Sequence, residues 1–371
     1  MKQQIIILGA GRMAKALVFD LHEDFDLTIA DVNSEALTWF ETTYNIKTLC
    51  FSVTDEAALK LAVAPFDLVI GCVPGQFGFG MLQTVLEEGK NIVDISFAPE
   101  NVLELNELAI QNNALAIVDI GVAPGLSNII LGHEYATNHI NKFVCMVGGL
   151  PKKREWPFEY KAPFSPIDVI EEYTRPSRIV RNGKIITLDA LTESELVQLN
   201  GIELEAFITD GLRSVLETID IPNMEEKTLR YPGHRALMEV FRETGLFSKE
   251  VLKIKNQAIS PLEVTSKLLL PKWKLGEHEE EFTIMTLDFE GEVNKRYLLY
   301  DEFNSATGLS SMARTTGFTC ATAARMVLKG LLNKTGVLPP ERIGQDVELY
   351  NFMLEGLKKH GIVFKIETKN I

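Results

Sequence analysis

Short apolar segments alternate with helical ones over the first 120 residues, and this alternation constrains the fold more than any other feature of the sequence. The apolar segments lack a regular polar face, which is typical of strands buried on both sides in a parallel sheet. The intervening segments place apolar residues at helical spacing, as Met13, Leu17 and Leu21 do. The six predicted strands span residues 4–8, 27–30, 47–51, 67–72, 91–95 and 115–120. The pattern predicts an α/β Rossmann domain, which is a doubly wound parallel sheet.

The pattern changes after residue 140, where strands follow one another with few helices between them. Residues 178–188 form two strand-like runs around Asn182-Gly183, a pair that favours the type I′ turn of a hairpin because both positions need a positive φ. The other strands predicted in this part span residues 141–150, 203–208, 228–231, 282–289 and 295–300, and the helices span 211–218, 234–243 and 261–270. This order is typical of an α+β domain with a mainly antiparallel sheet.

Two helical segments near the C-terminus, residues 311–331 and 346–359, have apolar stripes for which the antiparallel sheet offers no partner. We therefore expect them to return to the Rossmann domain. A chain of 371 residues has room for two domains. The predicted organisation is a Rossmann domain at 1–122, an α+β domain at 123–309 and a returning C-terminal segment at 310–371.

The charge balance excludes several classes of partner. The chain has 51 acidic and 37 basic residues, a net charge of −14, whereas nucleic acids and anionic membranes select basic surfaces. No apolar run approaches the roughly 18 residues of a membrane span, and the first residues lead into a strand rather than a secretory signal. We expect a cytoplasmic protein with no nucleic-acid or membrane partner. The four cysteines lack metal-binding spacing, and no metal is expected.

The strongest local motif is Gly9-Ala10-Gly11-Arg12-Met13-Ala14, which follows the first strand and opens the first helix. In this context the first glycine permits a tight turn and the second lets the backbone approach a pyrophosphate. Ala14 stays small so that the helix can pack on the strand. We therefore predict that Gly9, Gly11, Arg12, Met13 and Ala14 bind a dinucleotide at the positive end of the helix.

Asp31 ends the second predicted strand, 20 positions after Gly11. A carboxylate at this position accepts hydrogen bonds from the ribose hydroxyls of adenosine and repels a 2′-phosphate. The following residues, Val32, Asn33 and Ser34, carry no positive charge to attract that phosphate. The sequence therefore favours NAD over NADP. Since ligands of open α/β sheets lie at the carboxyl ends of the strands, five further contacts are expected from Ser52, Val53, Val73, Pro74 and Ser96.

Ten segments of the chain carry a family resemblance. They are Gly121-Val-Ala-Pro-Gly-Leu-Ser-Asn128, Gly148-Gly-Leu-Pro151, Tyr160-Lys161, Ser165-Pro166, Glu171-Glu-Tyr-Thr-Arg-Pro176, Asn182-Gly183, Ala206-Phe-Ile-Thr-Asp-Gly-Leu-Arg-Ser214, Leu229-Arg-Tyr-Pro-Gly-His234, Ser311-Met-Ala-Arg-Thr-Thr-Gly-Phe318 and Gly336-Val-Leu-Pro-Pro-Glu341. In order and over nearly the whole chain, they resemble the saccharopine dehydrogenase family, most closely its lysine 6-dehydrogenase branch. One departure is Ala123, where saccharopine-forming members have the aspartate of Gly-Leu-Asp-Pro-Gly.

The resemblance implies an NAD-dependent oxidoreductase that acts on the CH–NH₂ group of an amino acid. The implied reaction is oxidative deamination of L-lysine at the ε-carbon, which gives a semialdehyde that cyclises. The resemblance also implies that the second domain binds a small amino-acid or amine substrate and pairs through its open sheet in a homodimer. The C-terminal segment is expected to return to the NAD-binding domain.

Such a reaction needs a neutral amine, although a free ε-ammonium has a pKa of about 10.4, and it needs a partner for the α-carboxylate. Arg230 and His234 flank a breaker-rich turn, so Arg230 is the predicted carboxylate clamp and His234 a predicted proton shuttle that titrates near neutrality. Tyr160 and Lys161 follow Trp156 in a proline-rich segment that is a predicted substrate lid. The second-rank choices are Asp210, Arg175 and Arg178.

Two other functions stay open. One is a reductase of the saccharopine or carboxynorspermidine type, which reduces an imine formed from an amine and an aldehyde. The other is an NAD-binding sensor without catalysis, because a fold does not determine a function.

Overall fold

The computed structural model describes residues 2–369, apart from the side chains of residues 166, 167 and 369, and the chain divides into two compact units. The first unit comprises residues 2–137, 217–219 and 312–363. The second comprises residues 138–216, 220–311 and 364–369. The predicted boundary at residue 122 therefore lies at 137, and the C-terminal segment belongs to the first unit only as far as residue 363.

The first unit contains a seven-stranded sheet in which every pair of neighbouring strands is parallel. Its strands are β1 (Gln4–Leu8), β2 (Asp26–Asp31), β3 (Lys47–Cys50), β4 (Leu68–Gly71), β5 (Ile92–Asp94), β6 (Leu115–Ile117) and β17 (Gly336–Leu338). Their spatial order is β17-β6-β5-β4-β1-β2-β3, which is the doubly wound order with one strand added. Residues 5–8 of β1 are fully buried, as the continuous apolar run predicts. The predicted Rossmann fold is confirmed.

The helices of the first unit connect these strands and cover the sheet. They are α1 (Arg12–Leu21), α2 (Ser34–Tyr44), α3 (Glu56–Val63), α4 (Gly75–Glu87), α5 (Asn106–Gln111), α6 (Leu126–Thr137), α11 (Ser311–Leu328), α12 (Pro340–Gly344) and α13 (Val347–Lys359). The boundary moves to residue 137 because α6 packs closely on α12: a side chain at Gly132 would reach within 2.0 Å of the Glu341 carbonyl oxygen. Residues 126–132 and Glu134 of α6 are buried, apolar and polar ones alike, so the segment shows no clear amphipathic stripe from which the helix could be predicted.

The second unit contains a nine-stranded sheet that is mainly antiparallel, as predicted. Its strands are β7 (Ile140–Pro151), β8 (Ser177–Arg181), β9 (Lys184–Leu188), β10 (Glu195–Leu199), β11 (Ile202–Ile208), β12 (Asn223–Arg230), β15 (Glu281–Gly291), β16 (Asn294–Glu302) and β18 (Phe364–Lys369). The path β10-β11-β12-β7-β15-β16-β18 has one parallel pair, β12 with β7, and β8 with β9 attaches to β12. Because β18 pairs with β16, residues 364–369 lie in this unit, whereas the whole segment 310–371 was predicted to return to the Rossmann domain.

The remaining elements of the second unit lie outside this sheet. They are α7 (Pro166–Thr174), α8 (Val215–Thr218), α9 (His234–Glu243), α10 (Pro261–Trp273) and a separate two-stranded sheet of β13 (Leu252–Ile254) and β14 (Gln257–Ile259). Residues from α7, α9 and α10 share an aromatic-rich core that includes Tyr160, Tyr173 and Trp273. The hairpin predicted at Asn182-Gly183 is present, with φ of 50° and 71° at its two turn positions. In residues 2–369 no helix has the length and apolar character needed to cross a membrane.

Strand β12 carries a buried carboxyl group, Glu226, in the middle of the sheet. The Thr209 hydroxyl donates to its Oε2 at 2.6 Å, and the residue is 6% exposed. Burial raises the pKa of Glu226 to about 8, so the carboxyl holds a proton at neutral pH in the folded chain. The unfolded chain releases that proton near pH 4.5, and folding therefore loses stability as the pH rises from about 4.5 to about 8.

We predict that Glu226→Gln removes this pH dependence, because an amide of the same shape cannot ionise. Between pH 5.5 and 7.5 the free energy of unfolding of the wild type should fall relative to the variant by about 1.4 kcal/mol per pH unit. Urea denaturation at three pH values measures the difference. Glu203→Gln, at an exposed position of β11, is the matched control and should follow the wild type. Parallel pH profiles for wild type and Glu226→Gln would contradict the buried neutral carboxyl.

Candidate functional sites in the two units

In the first unit, the turn after β1 contains two glycines, of which Gly9 is closely surrounded by backbone atoms and Gly11 faces open space. Gly9 has a φ of 113°, and a side chain there would reach within 2.3 Å of the Cys72 carbonyl oxygen. A side chain at Gly11 would meet no heavy atom within 4 Å. Helix α1 follows with no side-chain cap at Gly11 and no acidic residue in its first turn. Arg12 and Met13 begin this helix and Ala14 is fully buried, so the loop has the open, positive helix end that a diphosphate requires.

Asp31, at the end of β2, is held beside this loop by two backbone hydrogen bonds. The amide of Ala10 donates to Oδ2 at 2.6 Å, and the amide of Asn33 donates to Oδ1 at 2.8 Å. A carboxylate has about four acceptor positions, so two remain for hydroxyl donors. The residues present fit the adenosine ribose and the diphosphate of a dinucleotide.

The other predicted cofactor contacts differ in exposure. Ser52, Val53 and Val73 are half-buried at the carboxyl ends of strands, and Pro74 is exposed just before α4. Ser96 differs from the prediction, because its side chain is 2% exposed and its hydroxyl donates to Asp94 at 2.5 Å. Ser96 therefore shapes the end of β5 rather than offering its hydroxyl to a ligand.

In the second unit, Arg230 at the end of β12 is the centre of a buried polar cluster. Its Nη2 donates to Glu172 Oε2 at 2.7 Å, and its Nε donates to the Tyr173 hydroxyl at 3.0 Å. Its Nη1 donates to the Leu229 carbonyl at 2.9 Å, and the guanidinium lies 4.5 Å from the ring centre of Tyr160. The side chain is 2% exposed. Arg230, the predicted carboxylate clamp, is therefore buried and already paired with a carboxylate of the protein, that of Glu172.

The same cluster fixes the protonation state of His234, the first residue of α9. Its Nε2 accepts from the Tyr173 hydroxyl at 3.0 Å, and its Nδ1–H donates to the Phe158 carbonyl at 2.9 Å. Burial, reinforced by the charge of Arg230, lowers the pKa of His234 to about 3. The predicted titration near neutrality is wrong: the imidazole is neutral, and both of its nitrogens are engaged.

Tyr160 lies in this cluster with its ring 3% exposed. Burial raises the pKa of its hydroxyl well above the ordinary value, so the group is a hydrogen-bond donor and not a base. Within residues 2–369 neither this hydroxyl nor the Nε1–H of fully buried Trp273 has a hydrogen-bond partner, and the two rings are 5.7 Å apart. A buried donor without a partner costs free energy, which a bound polar group would recover.

The remaining predicted residues form ion pairs. Lys161 Nζ lies 3.6 Å from Glu155 and 3.9 Å from Glu279, outside the buried cluster that holds its neighbour Tyr160. Asp210 accepts two hydrogen bonds from the guanidinium of Arg178, at 3.1 and 3.0 Å, and so holds β8 in place. No group of three His, Cys, Asp or Glu side chains in the described part of the chain is placed to hold a metal ion.

Two arginines lie close together near this ion pair. Burial lowers the pKa of Arg175, and the positive charge of Arg213 lowers it further. Asp210 acts in the opposite direction. Glu171 and Asp168 also act in that opposite direction, so Arg175, a second-rank choice from the sequence, lies among three carboxylates and one other arginine.

Glu172 and Tyr173 were not among the site residues predicted from the sequence. Both lie on α7, which the sequence did not predict as a helix because the segment is short and begins beside prolines. The available signal was the Glu171-Glu172-Tyr173 run itself, an acidic pair and a tyrosine inside a segment that carries the family resemblance.

Comparison with known proteins identifies relatives over the whole chain. Residues 5–117 match the model of the saccharopine dehydrogenase NADP binding domain, and residues 121–362 match that of the saccharopine dehydrogenase C-terminal domain. The chain is 23% identical to saccharopine dehydrogenase [NADP(+), L-glutamate-forming] of Schizosaccharomyces pombe, covering 96% of this chain and 97% of the relative. It is also 23% identical to the mitochondrial alpha-aminoadipic semialdehyde synthase of the mouse, over 99% of this chain and 48% of the relative. The chain thus spans about half the length of the mouse protein.

Solved structures show the same fold. The apo saccharopine dehydrogenase (L-Glu forming) of Saccharomyces cerevisiae matches with a TM-score of 0.79 at 19% identity, over 99% of this chain and 100% of that one. A homospermidine synthase of Legionella pneumophila in complex with NAD matches with a TM-score of 0.72 at 12% identity, over 100% and 92% of the two chains. The two family models confirm the family resemblance found in the sequence: the chain belongs to the saccharopine dehydrogenase family of oxidoreductases.

Proposed function

We propose that the protein is an NAD-dependent amino-acid dehydrogenase that deaminates L-lysine oxidatively at its ε-carbon. A nicotinamide dinucleotide bound at the glycine loop of the first unit supplies the hydride acceptor. The observation that carries the choice of substrate is that two arginines of the second unit, the buried Arg230 and the partly exposed Arg178, are paired with protein carboxylates. Arg230 is paired with Glu172, and Arg178 is paired with Asp210.

This pairing favours a substrate with few carboxylates. Saccharopine has three carboxylates, and each needs a cationic partner when it leaves water. Arg230 and Arg178 are already neutralised by protein carboxylates, so neither offers an unpaired positive charge to an additional carboxylate of the substrate. A substrate with a single carboxylate therefore fits this unit better than saccharopine. The absence of an acidic residue at Ala123 points the same way, because saccharopine-forming members have an aspartate there.

The residues of the second unit have distinct roles in the proposed reaction. Glu172, whose side chain is one-fifth exposed, receives an ammonium group of the substrate, and burial raises the pKa of its carboxyl. Arg175, beside Arg213, attracts the α-carboxylate. The Tyr160 hydroxyl donates to the substrate and gains the partner that the protein does not provide. His234 positions Tyr173 and the Phe158 carbonyl and does not exchange protons.

The cofactor proposal rests on Asp31. Its carboxylate is fixed by the amides of Ala10 and Asn33, so it cannot turn away from a 2′-phosphate without losing two hydrogen bonds. No basic residue follows it in the sequence to neutralise that phosphate. We therefore propose NAD, although the matching family model is named for NADP binding. We also propose a cytoplasmic location.

A second candidate function is glutamate-forming saccharopine dehydrogenase. The relative from Schizosaccharomyces pombe carries that name and aligns over 97% of its own length. This function requires cationic partners for two more carboxylates than lysine has. Direct comparison of the two substrates separates the candidates.

We expect the purified protein to produce NADH from L-lysine at mildly alkaline pH, where more of the amine is neutral. The measurement is absorbance at the NADH wavelength during a screen of lysine, ornithine, saccharopine and cadaverine with NAD and with NADP. Turnover of saccharopine in preference to lysine would establish the second candidate. Binding of NAD without turnover of any amine would make the protein a sensor.

For the cofactor we predict that the wild type prefers NAD and that Asp31→Ser reduces this preference at least tenfold, a change of about 1.4 kcal/mol. Serine keeps a short acceptor for the neighbouring amides but removes the charge that repels a 2′-phosphate. The readout is the ratio of kcat/KM for NAD to that for NADP, which a general loss of stability does not change. A wild type that uses NADP as readily as NAD would contradict the proposed role of Asp31.

Two tyrosines of the buried cluster form a matched pair of variants. Tyr173→Phe removes a hydroxyl that accepts from Arg230 and donates to His234, so we expect it to destabilise the protein by about 1–3 kcal/mol. Tyr160→Phe removes a buried hydroxyl without a protein partner, so we expect equal or higher stability and a lower kcat/KM for lysine. Thermal unfolding and steady-state kinetics measure both effects. Full activity in Tyr160→Phe would exclude the hydroxyl as a substrate contact.

A further inference from the structure

Helix α11 contacts two parts of the first unit that lie near the carboxyl ends of its strands. At Gly317 it packs against the start of α1, because a side chain there would reach within 2.7 Å of the Ala16 Cβ and 3.1 Å of the Met13 carbonyl oxygen. One residue earlier, the Thr316 Cγ2 and Oγ1 lie 3.3 and 3.9 Å from the position that a Cβ of Gly121 would occupy. Residues 316 and 317 thus join the helix that follows the glycine loop to the loop that contains Gly121.

The loop that contains Gly121 lies at the carboxyl edge of the parallel sheet. It follows β6, and the amide of Ile120 donates to the carbonyl of Asp94, the last residue of β5, at 3.1 Å. In the strand order β6-β5-β4-β1-β2-β3, Asp31 lies on the β2 side of β1, whereas this loop lies on the other side. Doubly wound folds bind the two halves of a dinucleotide across this crevice. Since Asp31 takes the adenosine in the proposed cofactor site, the loop of Gly121 is on the nicotinamide side.

Thr316 differs from its neighbours on α11 in exposure. The structure describes all of residues 311–320, and Thr316 is half-buried whereas the other nine residues are buried. Its side chain is therefore the part of this segment that a ligand at the carboxyl edge of the sheet can reach.

The hydroxyl of Thr316 also differs in its hydrogen bond. The hydroxyls of Thr319 and Thr322 donate to the carbonyl four residues earlier, at 2.6 and 2.7 Å, as threonine commonly does in a helix. The Thr316 hydroxyl donates to the thioether sulfur of Met312, at 3.6 Å. A thioether is a weak acceptor, so a stronger acceptor brought to this position would take the bond over.

We propose that the Thr316 hydroxyl donates a hydrogen bond to the carboxamide oxygen of the nicotinamide ring and that α11 thereby completes the cofactor site. The proposal rests on the dinucleotide site proposed above, and it names a contact outside residues 5–117, the segment that matches the nucleotide-binding family model. A carboxamide oxygen is a strong acceptor, unlike the Met312 sulfur. Because the carboxamide is attached next to the ring carbon that accepts the hydride, a hydrogen bond to it fixes the orientation of the ring.

Two variants separate the hydroxyl of Thr316 from its methyl group. The methyl group, Cγ2, faces Gly121, so a merely structural role of the side chain would depend on it. Thr316→Val keeps the shape and this methyl group but removes the hydroxyl. Thr316→Ser keeps the hydroxyl and removes the methyl group.

The experiment is isothermal titration calorimetry of the full chain with NAD and with ADP-ribose, which lacks the nicotinamide. We expect Thr316→Val to raise the dissociation constant of NAD about fivefold to tenfold and to leave that of ADP-ribose unchanged, because the hydrogen bond is lost only in the NAD complex. Thr316→Ser should keep the wild-type ratio of the two constants. Binding of ADP-ribose also shows that the nucleotide site of each variant is folded.

The matched control is Thr319→Val in the same helix. The Thr319 side chain is fully buried and its hydroxyl is bonded to the Thr315 carbonyl, so the ratio of the two dissociation constants should stay that of the wild type. An unchanged NAD affinity in Thr316→Val would overturn the proposal. Equal losses of NAD and ADP-ribose affinity would overturn it as well, because they would make Thr316 a structural residue of α11.

The test is independent of the proposed reaction, since no amino-acid substrate takes part in it. The same ratio measured with NADP and 2′-phospho-ADP-ribose extends it to a protein that prefers NADP, so an error in the role of Asp31 leaves the Thr316 contact testable. A wild type that binds neither dinucleotide would overturn the contact together with the cofactor site.

Discussion

A buried guanidinium must be satisfied on every side, and Arg230 organises the second unit for this reason. Its three nitrogens donate to Glu172, Tyr173 and the Leu229 carbonyl, and its flat face lies over Tyr160. Removing one partner would leave a charge uncompensated in the interior, which costs several kcal/mol. These contacts join the end of β12 to α7 and to the segment that carries Tyr160. A buried ion pair is weak evidence for stability, but here it fixes one arrangement of three separate elements.

The Tyr173 hydroxyl extends this order to α9. It accepts from Arg230 and donates to His234, whose other nitrogen holds the Phe158 carbonyl. The Arg230 guanidinium can only donate, so the Tyr173 hydroxyl accepts from it and donates its own proton to His234. The permanent charge of Arg230 thus determines which group is the donor in each hydrogen bond of the series. The neutral imidazole therefore connects α9 to the proline-rich segment. Because the ring takes up no proton near neutral pH, both of its hydrogen bonds persist there.

Features with a local sequence pattern could be predicted, whereas contacts between residues that are far apart in the chain could not. Asp31 and the glycine loop could be found because they follow a buried strand at fixed spacing. The partner of Arg230 could not, because Glu172 lies 58 residues away on a helix whose short segment begins beside prolines. Arg230 was predicted to face a substrate because it flanks a breaker-rich turn, but it is the last residue of β12 and its side chain is buried. Helix α6 was missed for the opposite reason: it is buried on most sides and shows no amphipathic stripe.

Burial in the second unit favours the neutral forms of Glu226 and His234, whereas Arg230, which is paired with Glu172, stays charged. It raises the pKa of Glu226 to about 8 and lowers that of His234 to about 3, so the neutral form is favoured in both. The same physics would act on a substrate ammonium brought into this environment, whose pKa falls as water is removed. Oxidation of a C–N bond needs the amine in its neutral form. For the proposed reaction, desolvation therefore supplies much of the deprotonation, and the site needs a weak proton acceptor such as Glu172 rather than a strong base.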